Sequence, residues 1–104
     1  MIKVSVVYPN GTGATFNHGY YSANHLPMVR KLLGDAVKGA EIDRAVAGGQ
    51  PGEQPSFMAA GHLYFDSVAA FEAAFGPHTG QIMADVPNYT NIQPQIIISE
   101  ATKA

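Results

Sequence analysis

The sequence contains no cysteine. That excludes a disulfide framework, a thiolate nucleophile, an iron–sulfur cluster and a thiolate zinc site, and it permits a reducing compartment. Tryptophan is absent too. Charge is scarce, since Asp, Glu, Lys and Arg make up only 13% of the 104 residues, against about 25% in an average soluble domain. The basic residues Lys3, Arg30, Lys31, Lys38, Arg44 and Lys103 form no stripe, and the formal net charge is −2. Duplex nucleic acid and an anionic membrane surface are therefore excluded as expected partners. No apolar run approaches the roughly 20 residues of a membrane-spanning helix. The opening stretch, Met1 to Tyr8, lacks both a basic leader and an unbroken apolar segment, so it is expected to be a strand and the location cytoplasmic.

What is present is enough for a core. Hydrophobic residues make up 46% of the chain, with five tyrosines and five phenylalanines, and the length suits one domain spanning 1–104. So little charge cannot cover a large surface, and part of it is expected to be hidden by a second copy.

Ile2 to Tyr8 predicts a first strand ending at Pro9-Asn10-Gly11. Asn17 is expected to cap a helix running to Leu33, with Gly34 as its stop. At about 100° per residue, Tyr21, His25, Met28, Val29 and Leu32 share one arc, which should face the core. Pro27 cannot donate to the carbonyl of Ala23, so a kink or break is expected beside His25. Lys38 to Ala47 suggests a second strand, and the Gly/Pro-rich residues 48–55 an exposed hairpin-type loop. Ser56 to Asp66 predicts a third strand, with Phe57, Leu63 and Phe65 on one face and Met58, His62 and Tyr64 on the other. Val68, Phe71 and Phe75 mark a second helix that stops at Gly76-Pro77. A longer connection with a short helical turn near 81–85 follows, and then a last strand, 91–101, of fully buried type around Ile96-Ile97-Ile98, with Pro94 at an edge or bulge.

Strand, helix, strand, strand, helix, strand is the order of the ferredoxin-like βαββαβ fold, an α+β arrangement with two helices on one face of a four-stranded antiparallel sheet. The first, third and fourth strands carry apolar residues on both faces, which predicts a homodimer packed through the sheet faces.

His25 carries the most chemical information. It lies mid-arc with Tyr21 one turn earlier, where an imidazole could move a proton and a phenol could hold an oxyanion. A core histidine bonded to backbone carbonyls is the alternative. His62 points either toward the helices with His25 or into the dimer interior, because a slip of one residue reverses its face. Asp85 could orient an imidazole, act as a base, or simply form a turn. Two histidines and a carboxylate, His25, His62 and Asp85, could in principle hold a metal, but nothing in their spacing demands it, and no metal is expected. Gly11-Thr12-Gly13-Ala14-Thr15-Phe16 begins like a dinucleotide fingerprint, yet Phe16 stands at the third glycine position and no phosphate-binding loop follows. No redox cofactor is expected.

The stretch Phe16-x-x-x-Tyr20-Tyr21-x-x-x-His25-x-Pro27-Met28-Val29, together with His62-Leu63-Tyr64-Phe65-Asp66-Ser67 and Asp85-Val86-Pro87-Asn88-Tyr89-Thr90, resembles the EthD family, named for ethyl tert-butyl ether degradation. The resemblance covers nearly the whole chain. It implies a dimeric α+β barrel, within a superfamily that includes cofactor-independent monooxygenases, polyketide cyclases, muconolactone isomerases and haem-degrading enzymes. The shared shape does not name the reaction. The family's tyrosine and histidine carry over onto Tyr20 or Tyr21 and His25, and its aspartate and asparagine onto Asp85 and Asn88. Met28 stands where leucine is more usual, and the absence of tryptophan speaks against the haem-degrading and monooxygenase branches.

Two functions follow as expectations. The first is an isomerase, cyclase or oxygenase without redox cofactor, acting on a small apolar, oxygenated metabolite held between the first helix and the sheet. In it His25 is the acid or base and Tyr20 or Tyr21 the oxyanion partner, with His62, Asp85, Asn88, Met58, Phe71 and Phe75 binding substrate. The second is a non-catalytic ligand-binding or accessory protein of a degradation system.

Overall fold

The computed structural model describes residues 1–104. Four strands, β1 (Ile2–Pro9), β2 (Gly39–Arg44), β3 (Phe57–Phe65) and β4 (Gln95–Glu100), form one sheet in the order β2-β3-β1-β4. Every neighbouring pair is antiparallel. Helical segments follow β1 and β3: α1 (His18–Tyr20), a π-helical turn (Tyr21–His25) and α2 (Leu26–Leu33) after the first, and α3 (Val68–Phe75) and α4 (Thr79–Asp85) after the third. The expected ferredoxin-like α+β fold is the one observed. No helix is long and apolar enough to cross a membrane.

The caps follow from local chemistry. The side chain of Asn17 accepts from the backbone N–H of Tyr20 at 3.0 Å, and Gly34 ends α2 at φ +60, which a side chain would resist. Ser67 accepts from the N–H of Ala70 at 3.0 Å and starts α3. Replacing Ser67 by alanine removes that acceptor and should cost about 1 kcal/mol of stability, which a denaturant midpoint would register as a fall in stability at unchanged m-value.

At Pro27 the helix widens instead of breaking. The N–H of Leu26 reaches back to the carbonyl of Tyr21, five residues earlier, and Pro27 then occupies the first turn of α2, where its missing donor is harmless.

Register decides the faces. Val4 pairs with Leu63 and Ile98, and Ile2 with Phe65, so these residues point to the helical side, where Val4, Leu63 and Phe65 join Tyr21, Val29, Leu33 and Ile82 in the core. Each such fully buried Leu or Phe contributes about 1.5–3 kcal/mol relative to exposure. Ser5 pairs with His62 and Ile97, and Lys3 with Tyr64 and Ser99, which places them on the far face. That face is polar in half its positions, with Val7, Ala60 and Ile97 between Lys3, Ser5, His62 and Tyr64, so it is not the continuous apolar patch from which sheet-to-sheet association was expected. The fully buried last strand is likewise corrected. β4 is an edge strand, and Ile96, Ile97 and Ile98 are 53%, 51% and 44% exposed, Ile96 and Ile98 because the helices do not reach across to them and Ile97 because it points to the uncovered far face.

Candidate functional site

Two stretches distant in sequence build the site. One is the π-helical turn carrying Tyr21 and His25. The other is 85–91, which is stitched to the loop before α1: the N–H of Asn17 donates to the carbonyl of Tyr89 at 2.7 Å, and the hydroxyl of Thr90 donates to the carbonyl of Thr15 at 2.6 Å. The side-chain oxygen of Asn91 accepts from the N–H of Thr15, and its amide donates to the carbonyl of Gly13, both at 2.9 Å. These bonds hold Asp85 and Tyr89 against the helix.

Asp85 is the hub. Its Oδ2 lies 2.8 Å from Nδ1 of His25, while its Oδ1 accepts from the hydroxyl of Tyr20 at 2.7 Å and from the amide of Asn88 at 2.8 Å. Partial burial pushes the Asp85 carboxyl up, but the bonds from Tyr20, Asn88 and His25 outweigh it and hold the group below its ordinary value. Burial pushes the His25 imidazole down, and Asp85 only partly offsets this. At neutral pH Asp85 is therefore a carboxylate and His25 neutral. A carboxylate can only accept, so Nδ1 of His25 carries the proton and Nε2 keeps its lone pair. No enclosed side-chain nitrogen or oxygen lacks a partner, and Nε2 bonds to nothing in the protein, so it is the edge of the ring left open to a guest.

Both shifts have the same consequence for stability. The folded state takes up these protons less readily than the unfolded chain, so stability is full above the ordinary histidine value of about 6.5. It is lost as pH falls through the folded value of His25 and again through that of Asp85. A melting-temperature series should show the first of these steps in the wild-type chain and not in His25→Gln; parallel curves would contradict the assignment.

His25 borders a cavity of about 60 Å³ between helix and sheet, whose walls include Val4, Val6, Tyr8, Tyr21, Leu26, Val29, Gly61, Leu63, Phe71 and Phe75. Thirteen of the sixteen lining residues are hydrophobic. The volume admits a few waters or the reacting end of a small molecule, well short of the roughly 300 Å³ of a drug-sized pocket. Met83 and Ile96 at the rim are 43% and 53% exposed, so the cavity opens between α4 and β4 and a longer guest can extend outward there. A wider depression of about 730 Å³ around Thr15–Gly19, Arg44 and 87–91 is polar and contains neither His25 nor Asp85. The chemistry sits at the smaller hollow.

Aromatic rings complete the wall. Tyr21 stacks on His25 with centroids 5.5 Å apart and planes at 16°, and Tyr89 lies 4.6 Å from the imidazole. The hydroxyls of Tyr8 and Tyr89 are 2.6 Å apart. Burial pushes all three phenols, Tyr8, Tyr21 and Tyr89, above their ordinary range, so they stay protonated and can donate.

Of the residues singled out from sequence, His25, Tyr20, Tyr21, Asp85 and Asn88 come together here, and Phe71 and Phe75 line the cavity. Tyr20 turns its hydroxyl to Asp85 rather than to a guest oxygen, with its pKa raised chiefly by that bond. His62 and Met58 do not reach the cavity. His62 bonds instead to Ser5 and Asp43 on the far face, because strand alternation from the inward Leu63 turns both side chains away. His25, His62 and Asp85 therefore do not converge on one point. Tyr8 and Tyr89 were overlooked, although Tyr8 follows Val4 and Val6 at even spacing and is inward by the same alternation.

Comparison with known proteins agrees with this fold. The family model described as the EthD domain matches residues 10–93. The uncharacterized 11.0 kDa protein of the thcB–thcC intergenic region of Rhodococcus erythropolis is 30% identical over 95 residues, covering 88% of this chain and 85% of that one. The crystal structure of an EthD-like protein from Ralstonia eutropha superposes with a TM-score of 0.91 at 41% identity, over 95% of this chain and 89% of its own. An ethyl tert-butyl ether degradation family protein from Bacillus halodurans gives 0.68 at 19% identity, over 98% and 99%, a likeness of fold. The chain belongs to the EthD family.

Proposed function

We propose that this EthD-family protein is a proton-transfer enzyme that binds a small apolar molecule bearing an enolisable carbonyl, with His25 as its general base. The observation that carries the reading is the Asp85–His25 pair, 2.8 Å apart, which leaves Nε2 without a protein partner on a residue that lines a cavity walled by hydrocarbon. Asp85 holds the imidazole in the tautomer that can accept a proton and stabilises the imidazolium once it forms. Nε2 removes the proton from the carbon beside the carbonyl. The carbonyl oxygen becomes an enolate, which the protonated hydroxyls of Tyr21 and Tyr8, both residues of the cavity wall, can serve as donors. Return of the same proton to a different carbon completes an isomerisation; alternatively the enolate carbon attacks a second carbonyl carbon of the guest, whose π bond opens to an alkoxide that takes the proton back from His25 as the ring closes. Neither route needs a redox cofactor. Apolar walls suit a guest whose only polar part is its reacting end.

The reading also supports a second copy near the mouth, since the exposed Ile96 and Ile98 of edge strand β4 leave apolar surface beside the rim.

The test uses small cyclic enones and 1,3-diketones in D2O, with proton NMR following the signals beside the carbonyl. The wild-type chain should speed their loss, with an acid limb whose midpoint lies below the ordinary histidine value. Saturable binding without exchange across the panel would instead favour a non-catalytic ligand carrier.

A further inference from the structure

Edge strand β2 carries a cation where its alternation calls for a hydrocarbon. Ala40, Ile42 and Arg44 pair with Leu63, Gly61 and Ala59 of β3, so all three stand on the helical side of the sheet, and Arg44 lies opposite the buried Ala59. There it lines the polar depression of about 730 Å³ together with residues 15–19 and 87–91. That volume is within the roughly 300–1,000 Å³ of small-molecule sites. Arg44 has no carboxylate within ion-pair distance, and its neighbour Asp43 turns to the far face, where it bonds to His62. No acidic residue lines the depression, although Asp and Glu outnumber Lys and Arg eight to six along the chain.

We propose that this depression is a binding site for a phosphorylated, hydroxyl-bearing small molecule, a sugar phosphate in class, with the phosphate held by Arg44 and His18. The planar guanidinium offers two parallel N–H donors to two phosphate oxygens. His18 stands on the same wall, its ring 4.8 Å from that of Phe16. Burial, helped by the charge of Arg44, keeps the imidazole below its ordinary value, so at neutral pH it is uncharged and donates one N–H. A bound phosphate supplies the counter-charge that Arg44 lacks within the protein.

The remaining walls favour phosphate over carboxylate and a hydroxylated body over an apolar one. Asn17 uses its side-chain oxygen for the helix cap, which leaves its amide to donate. Asn88 gives one amide N–H to Asp85 and keeps the other. With the hydroxyl of Thr15 these are more donors than the two oxygens of a carboxylate can use, and they suit a ligand with several oxygens. Polar walls give an apolar guest nothing to bury against, in contrast to the hollow beside His25. The depression contains neither His25 nor Asp85, so this site stands or falls separately from the proton-transfer reading.

The probes are ribose 5-phosphate and glucose 6-phosphate, with ribose and inorganic phosphate as controls, titrated into the full chain by calorimetry and by amide NMR. Saturable binding of at least one sugar phosphate is expected, at one per chain, with shifts confined to residues 15–19, 44 and 87–91. Ribose should not bind, and inorganic phosphate should bind more weakly. Arg44→Gln should lower the affinity by about 10–100-fold, the effect of losing charge-assisted hydrogen bonds, and His18→Gln should lower it less. Binding of inorganic phosphate as tight as that of the sugar phosphates, shifts spread over other surfaces, unchanged affinity in Arg44→Gln, or no saturable binding of either sugar phosphate would each overturn the proposal. The shift map is recorded on the wild-type chain, so it remains decisive if a variant fails to fold.

Discussion

Replacing His25 by glutamine is expected to slow proton exchange at the cavity by about 10²–10⁴-fold, the usual contribution of a positioned base. Glutamine fills much of the same space and can still bond to Asp85, so circular dichroism and oligomeric state should be unchanged while the lone pair that takes the proton is gone. Asp85→Asn should approach the same loss for a different reason. An amide can donate as well as accept, so it no longer forces the proton onto Nδ1, and part of the His25 population turns its N–H toward the guest. Tyr20→Phe should do less. It removes one of the two bonds to Oδ1 of Asp85 and leaves the bond from Asn88 and the one to His25. The order His25→Gln, then Asp85→Asn, then Tyr20→Phe in severity is the expected outcome. Full activity in His25→Gln would end the proposal.

Gly61→Ala should produce the largest loss of stability. A Cβ at this position on the inward face of β3 would run into the hydroxyl of Tyr21, closer than any packed atoms approach, and would crowd the ring carbons behind it, the nearest at 3.2 Å. Tyr21 can shift only by giving up its packing or filling the adjoining cavity. It is 2% exposed, stacked on His25, and meets Tyr8 edge-on with centroids 5.6 Å apart. Overpacking of this kind costs about 1–3 kcal/mol, and each kcal/mol lowers the melting temperature of a chain this size by about 4–8 °C. The backbone at Gly61 is not left-handed, so the penalty is a clash and not strain. Tyr21→Phe in the same molecule should recover part of it, because the atom in conflict is removed; strictly additive effects in a double-mutant cycle would show that the two groups do not collide.

The two variants probe what glycine makes possible. A bare Cα in β3 lets the Tyr21 ring lie flat enough to stack on His25, and that stack together with Asp85 fixes the imidazole plane at the cavity. The π-helical turn serves the same end. It accommodates Pro27 and keeps Tyr21 and His25 on one face, a placement often found at functional sites.

Much of this was legible along the chain. Helical periodicity placed Tyr21, His25 and Val29 on the inward arc, alternation separated Leu63 and Phe65 from His62 and Tyr64, and Asn17 and Gly34 stand where capping chemistry put them. Such features depend on neighbours within about a turn or a strand, so local order suffices to set them. Three things needed the tertiary structure. The partner of His25 lies 60 residues away, and only the stitching of 85–91 to the loop before α1 brings it there. The side of the sheet taken by His62 turns on which face the helices cover. The exposure of Ile96 and Ile98 turns on how far those helices reach. An apolar run looks the same whether a neighbour covers it or not, and a hydrogen bond between distant residues leaves no period in the sequence.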